Sequence, residues 1–129
     1  MSRKSIYKST EYSITIRGNR WRYRLLPDDK YISLYDDKES AAITIPNKKK
    51  IEFTVEGAET ISIIIHELGH AYREESNTAD VNLDAEQIEE LMCAILGTYY
   101  TKIGKQARQM FRNMINDRRR LKAIQKHNK

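Results

Sequence analysis

His66, Glu67 and His70 stand at a spacing that chemistry can use: His-Glu-Leu-Gly-His, preceded by the apolar run Ile63-Ile64-Ile65. On a helix, residues 66 and 70 lie one turn apart, so both imidazoles leave the same face and can grip one metal ion. Glu67 is turned about 100° from His66, which makes it flank the metal and not occupy it. There it can take a proton from a metal-bound water whose pKa zinc has lowered to about 7. His-Glu-x-x-His on a helix is for these reasons a zinc-hydrolase signature. Of only three histidines in the chain, two are here. The flanking apolar residues and the internal Leu68-Gly69 suit a buried helix that a neighbour approaches closely.

Two histidines bind zinc weakly, and a catalytic site needs a third protein ligand and an open position. The metzincin arrangement, with a third histidine six residues on, is ruled out because position 73 is Arg and position 76 is Ser. The remaining histidine, His127, falls in a terminal segment expected to fray. A carboxylate must therefore complete the site, and the second helix offers Asp84, Glu86, Glu89 and Glu90. Asp84 shares a face with that helix's apolar stripe and is a poor ligand. Glu86, Glu90, Cys93 and Gly97 fall on one line, which suggests close packing against the motif helix. Glu86 is the expected third ligand. Glu90 or Glu89 is expected to accept a hydrogen bond from the free ring nitrogen of a liganding histidine, fixing its tautomer. Which of the three glutamates binds the metal stays open. Zinc is the expected cofactor, although His and carboxylate accept other divalent ions too. Tyr72, Arg73, Tyr99 and Tyr100 are candidates for stabilising an oxyanion.

The elements that must position these groups read as one α+β domain over residues 1–129, a small antiparallel or mixed sheet packed on the motif helix and the Glu-bearing helix. Residues 1–10 form a loose arm, 11–55 the sheet region, 56–100 the metal-site helices and 101–129 a basic helical extension. Alternation from Glu11 to Leu26, with Gly18-Asn19 between, predicts a β-hairpin whose outward row is Arg20, Arg22 and Arg24. Pro27-Asp28-Asp29 reads as a turn and Tyr31–Tyr35 as a third strand. Asp36–Glu39 reads as a loop, Ala42–Ile45 as a fourth strand and Ile51–Val55 as a short fifth segment. The motif helix is expected from about Glu56 to Glu75, with positions 61, 64, 65, 68, 71 and 72 facing the sheet. Ser76-Asn77-Thr78 should stop it, with a connection through Asp80. A second helix runs from about Leu83 to Tyr100, a break falls at Gly104, and a third helix spans about Lys105 to Lys126.

At 129 residues the chain holds one core. From Lys102 to Lys129 there are ten Lys/Arg against one acid, leaving 13 basic and 17 acidic groups in residues 1–101. An acidic body thus carries a basic appendage, with Arg118-Arg119-Arg120 its densest cluster. That extension can complete the core, or bind nucleic acid or an acidic partner. No apolar run approaches the ~20 residues that span a bilayer, and no apolar signal segment opens the chain, so no membrane partner is expected. A single cysteine, Cys93, excludes an internal disulfide and makes a reducing, cytoplasmic setting the expectation.

Ala41-Ala42-Ile43-Thr44-Ile45, then Ile64-Ile65-His66-Glu67-Leu68-Gly69-His70-Ala71, then Glu86-Gln87-Ile88-Glu89-Glu90-Leu91-Met92 resembles the ImmA/IrrE-type metallopeptidases over roughly residues 31–100. Those are small zincins common in phages and other mobile elements. Their downstream helix opens with Glu-x-Ala-Asn-x-Phe-Ala, which matches Glu86 to the zinc-binding Glu, Ile88 to Ala, Glu89 to Asn and Leu91 to Phe. The resemblance implies a zincin-like fold and hydrolysis of a peptide bond in a protein substrate, such as a regulatory protein or phage repressor. Glu67 would act as general base and proton shuttle, with His66, His70 and Glu86 on zinc. The alternative is a non-catalytic regulatory or nucleic-acid/protein-binding module using the basic hairpin and C-terminal helix.

Overall fold

Alternating residues build the hairpin that anchors the sheet. In the computed structural model, which describes residues 9–37, 39–76 and 83–127, β1 (Tyr12–Ile16) pairs antiparallel with β2 (Asn19–Leu25). The reversal uses Arg17 and Gly18, both at positive φ (50° and 84°), the backbone that a tight hairpin requires. The expected Gly18-Asn19 turn is thus shifted back by one residue. β4 (Lys50–Phe53) lies parallel to β2 and antiparallel to β3 (Ala42–Ile45), giving a mixed sheet of order β1-β2-β4-β3. Ile16, Trp21, Tyr23, Leu25, Ile51 and Phe53 fill one face and are fully or almost fully buried against the helices. Arg20, Arg22 and Arg24 alternate onto the other face, as their spacing predicts.

The strand expected over Tyr31–Tyr35 is a helix, α1 (Asp28–Tyr35). Pro27 precedes its first turn, Asp28 and Asp29 complement the positive end of its dipole, and Asp36 closes it in the left-handed conformation at φ 49°. Only Tyr31 is buried, while Leu34 is 52% exposed. One inward side chain per turn over so few residues carries no helical period to read. A short 3-10 turn (Pro46–Lys48) then links β3 to β4.

The single motif helix expected from Glu56 to Glu75 is two helices, α2 (Val55–Ala58) and α3 (Ile61–Glu74), divided at Glu59-Thr60. Thr54, expected inside a strand, caps α2 by accepting a hydrogen bond from the Gly57 N–H at 3.2 Å. Its own N–H and hydroxyl both donate to the Ala41 carbonyl at 2.9 Å. Ile64, Leu68, Ala71 and Tyr72 are buried as the period requires, whereas Ile61 is 38% exposed at the helix start.

α4 (Ala85–Asn113) runs through Gly104, where a break was expected, and α5 (Ile115–His127) follows across Met114. A glycine costs a helix only about 1 kcal/mol, and burial of Ile103, Ala107 and Met110 on either side offsets that. The helix kinks instead at Tyr99, whose φ −107° and ψ 16° are non-helical, next to the expected end of the second helix at about Tyr100. Asp84 is not a ligand candidate in this fold. It accepts the Gln87 N–H at 2.8 Å while the Gln87 side chain accepts its own N–H at 3.0 Å, a reciprocal cap. The expected stop at Asn77-Thr78, the connection through Asp80 and most of the N-terminal arm lie outside the described residues.

Arg118 is 6% exposed and donates to the carbonyls of Ala58 (3.0 Å) and Phe111 (2.6 Å), with its guanidinium 4.1 Å from the Phe111 ring centre. The basic cluster read at 118–120 is therefore a surface feature only at Arg119 and Arg120. Arg118 ties α5 to the end of α2. Tyr12 does the same for the hairpin, donating to Asn113 O and Asp117 Oδ2 at 2.8 and 2.7 Å. Burial and then that carboxylate push its hydroxyl up to about 12.

Glu75, just past α3, gathers the turns beneath the sheet. Its carboxylate accepts from Trp21 Nε1 (2.7 Å), Lys49 Nζ (2.6 Å) and Asn19 Nδ2 (3.0 Å), and its carbonyl from Arg17 (3.0 Å). Burial pushes this carboxyl up, but bonding to Lys49 and Trp21 and attraction to Lys49 and Arg17 outweigh it and leave the group below its ordinary 4.5. A depressed carboxyl contributes stability above its unfolded pKa and loses it as pH falls through the folded one. Stability should therefore drop as pH falls below about 4.5. The Glu75→Gln protein should be less stable at neutral pH and show a flatter acid limb in denaturant titrations.

Candidate metal centre and its groove

α3 fulfils the geometric expectation of its motif. His66 and His70 project one turn apart with their Nε2 atoms 3.0 Å from each other, rings nearly perpendicular at 84°. Two nitrogens on one tetrahedral zinc at about 2.05 Å each would stand about 3.3 Å apart. The pair therefore needs only a small opening to share an ion, and without one a ring N–H can bond the other ring's nitrogen. His66 is exposed and His70 half-buried. Burial holds His70 below its ordinary pKa, helped by His66 and Arg73 and opposed by the charge of Glu67. At neutral pH it is the uncharged imidazole that a metal requires.

Glu67 is 8% exposed, turned off the histidine face as the helical angle demands. Thr44 on β3 donates its hydroxyl to Glu67 Oε1 at 2.7 Å, and that hydroxyl also reaches the Glu67 carbonyl oxygen at 3.2 Å. Strand pairing sets this up: Thr44 lies opposite Ile51 and shares its helix-facing side. Thr44 falls in the Ala41–Ile45 stretch that carries the resemblance but takes no role from it, because it meets Glu67 only through packing of β3 on α3. Its one signal is the alternation that puts Ala42 and Thr44 on the core side.

A groove of about 370 Å³ opens beside these groups, lined by Ser40, Ala42, Thr44, Glu67, His70, Arg73 and Glu74 among others. β3 is its wall and, among the described residues, an outer strand of the sheet, paired with β4 alone. Of the four candidates for an oxyanion donor, only Arg73 lines this groove. Tyr72 is buried and donates to Gln106 Oε1 at 2.7 Å, Tyr99 packs on it at 4.8 Å, and Tyr100 is 76% exposed.

The close approach foreseen at Leu68-Gly69 is present. Gly69 is buried, and a Cβ there would lie 3.2 Å from the Met92 side chain and 3.5 Å from Leu96. The line of Glu86, Glu90, Cys93 and Gly97 is not the packing face: all four are exposed, and nothing lies within 4 Å of a Cβ built on Gly97. Large apolar residues make the contact, because the space next to Gly69 fits a methionine and a leucine. Glu86, Glu89 and Glu90 are exposed along the first turns of α4. Among the described residues no group of three His, Cys, Asp or Glu side chains comes together as a metal site. The structure thus brings together His66, His70 and Glu67, and leaves the three glutamates apart from them.

No helix among the described residues is long and apolar enough to cross a membrane. Compared with protein-family models, curated proteins and solved structures, the chain matches none of them.

Proposed function

We propose that this chain is a zinc-dependent metallopeptidase that hydrolyses a peptide bond in a protein substrate. The observation that carries the reading is the convergence of two Nε2 atoms, 3.0 Å apart, beside a buried glutamate at the wall of a sheet-edge groove. His66 and His70 hold the ion in this reading, with Glu86 as third ligand and Glu90 or Glu89 bonding a histidine's free nitrogen. α4 packs along α3, where Gly69 meets Met92 and Leu96 and Tyr72 meets Tyr99.

A bound zinc supplies Lewis-acid chemistry, polarising the scissile carbonyl and acidifying water. Glu67 takes the proton as general base and returns it to the leaving amine. Thr44 holds that carboxylate in place, and Arg73 offers positive charge to the developing oxyanion. An extended substrate can pair with the open edge of β3, which is how a peptide rather than a compact molecule is recognised. The motif's resemblance to ImmA/IrrE-type peptidases supports a regulatory protein such as a repressor as substrate. The exposed Cys93 suits a reducing cytoplasm.

The test is cleavage of a peptide library read by mass spectrometry. New termini that vanish on chelation and return with zinc support the peptidase. Identical termini with and without zinc contradict it. A second reading, a non-catalytic binding module, is favoured by one observation, the exposure of Arg119 and Arg120 side by side on α5. It requires function to survive Glu67→Gln and to fail on charge reversal at Arg119 and Arg120.

A further inference from the structure

The outer face of the sheet carries a second feature, separate from the metal centre. Arg20 and Arg22 sit two residues apart on β2, about 7 Å along the strand. Parallel pairing of β2 with β4 brings the turn before β4 alongside them, fixed by the Arg22 N–H donating to the Lys49 carbonyl at 3.0 Å. Arg20, Arg22, Asn47, Lys48 and Lys49 together line a groove of about 330 Å³. Four cations and one amide donor thus converge from segments far apart in sequence.

Local acids satisfy only part of the cluster. Arg20 bonds Ser13 Oγ through Nε at 3.0 Å, and neither it nor Lys48 has a carboxylate partner among the described residues. Glu11 stands at the rim, 3.5 Å from Arg22 and 3.8 Å from Lys50. Glu75 engages Lys49 but is shared with Trp21 and Asn19. Arg24, the third member of the row, is paired with the buried Glu52 and takes no part.

We infer that this groove binds the phosphodiester backbone of duplex nucleic acid. Guanidinium groups match phosphate oxygens with paired donors, and the lysines add point charge. The aromatic residues of β2, Trp21 and Tyr23, point into the core, so among the described residues the face has no platform on which single-strand bases stack. Among the described residues that line it, no helix or strand projects to read base edges. Recognition is therefore by charge and spacing, without sequence preference.

Fluorescence anisotropy with a short random-sequence duplex tests this, run at several salt concentrations. Four phosphate contacts give a slope of log K against log salt of about −3.6. Replacing Arg20 and Lys48, both exposed, with alanine should reduce that slope by about two and weaken low-salt binding at least tenfold. Arg119→Ala/Arg120→Ala, an equal loss of charge on α5, should leave both nearly unchanged. Equal weakening by the two double variants would overturn the assignment, as would no binding by wild type at low salt. Poly-glutamate binding as tightly as the duplex would assign the groove to an acidic protein instead and likewise overturn it.

Discussion

Glu67→Gln protein is expected to fold normally, keep its zinc and lose hydrolysis by about 10²- to 10⁴-fold in kcat, the span that a positioned general base contributes. The amide preserves what the fold asks of this side chain. Its oxygen still accepts the Thr44 hydroxyl, which reaches Oε1 at 2.7 Å, and its volume is unchanged in a site only 8% exposed. What it loses is the ability to take a proton. A decrease in kcat with KM and zinc content preserved is the signature of an interaction used in the transition state. Unchanged turnover in zinc-loaded Glu67→Gln protein would remove Glu67 from the chemistry.

Gly57→Ala is expected to destabilise the fold by about 3 kcal/mol, the upper end for overpacking, and to lower Tm by about 10 °C. On helix propensity alone alanine should gain up to about 1 kcal/mol. Space decides otherwise: a Cβ at Gly57 would stand 2.2 Å from the Ala41 carbonyl oxygen and 3.0 Å from its carbon. Those are backbone atoms, and that oxygen already accepts both the Thr54 N–H and its hydroxyl. Relief must move either the entry to β3 or the start of α2. Since β3 carries Thr44 and α2 leads into α3, the same change should loosen the Glu67 contact. Thermal unfolding followed by circular dichroism checks it; an unchanged or higher Tm would show that the Ala41 segment yields freely.

What the sequence disclosed divides along a physical line. Features fixed by local geometry were legible: the i, i+4 histidines, the flanking glutamate and the hairpin alternation. Features fixed by tertiary packing were not. Tyr31 is the single inward residue of α1, so its neighbours looked like an alternating strand. Thr44 meets Glu67 only because β3 packs on α3. Arg118 reads as one of three surface cations, yet its guanidinium is buried between the Ala58 and Phe111 carbonyls. The small-residue line on α4 pointed at the wrong face, because small side chains mark close approach only when a partner is present. There the partner's glycine, Gly69, makes the room, and α4 contributes Met92 and Leu96.

The central claim is that His66 and His70 hold a catalytic metal, and zinc per chain by elemental analysis tests it most directly. Wild-type protein is expected to carry about one zinc, lost in His66→Ala and His70→Ala. Among Glu86→Ala, Glu89→Ala and Glu90→Ala, the loss should fall chiefly on Glu86. Loss at Glu89 or Glu90 instead would keep the metal centre and move its third ligand along α4. Wild-type protein that holds no zinc even after reloading would contradict the account.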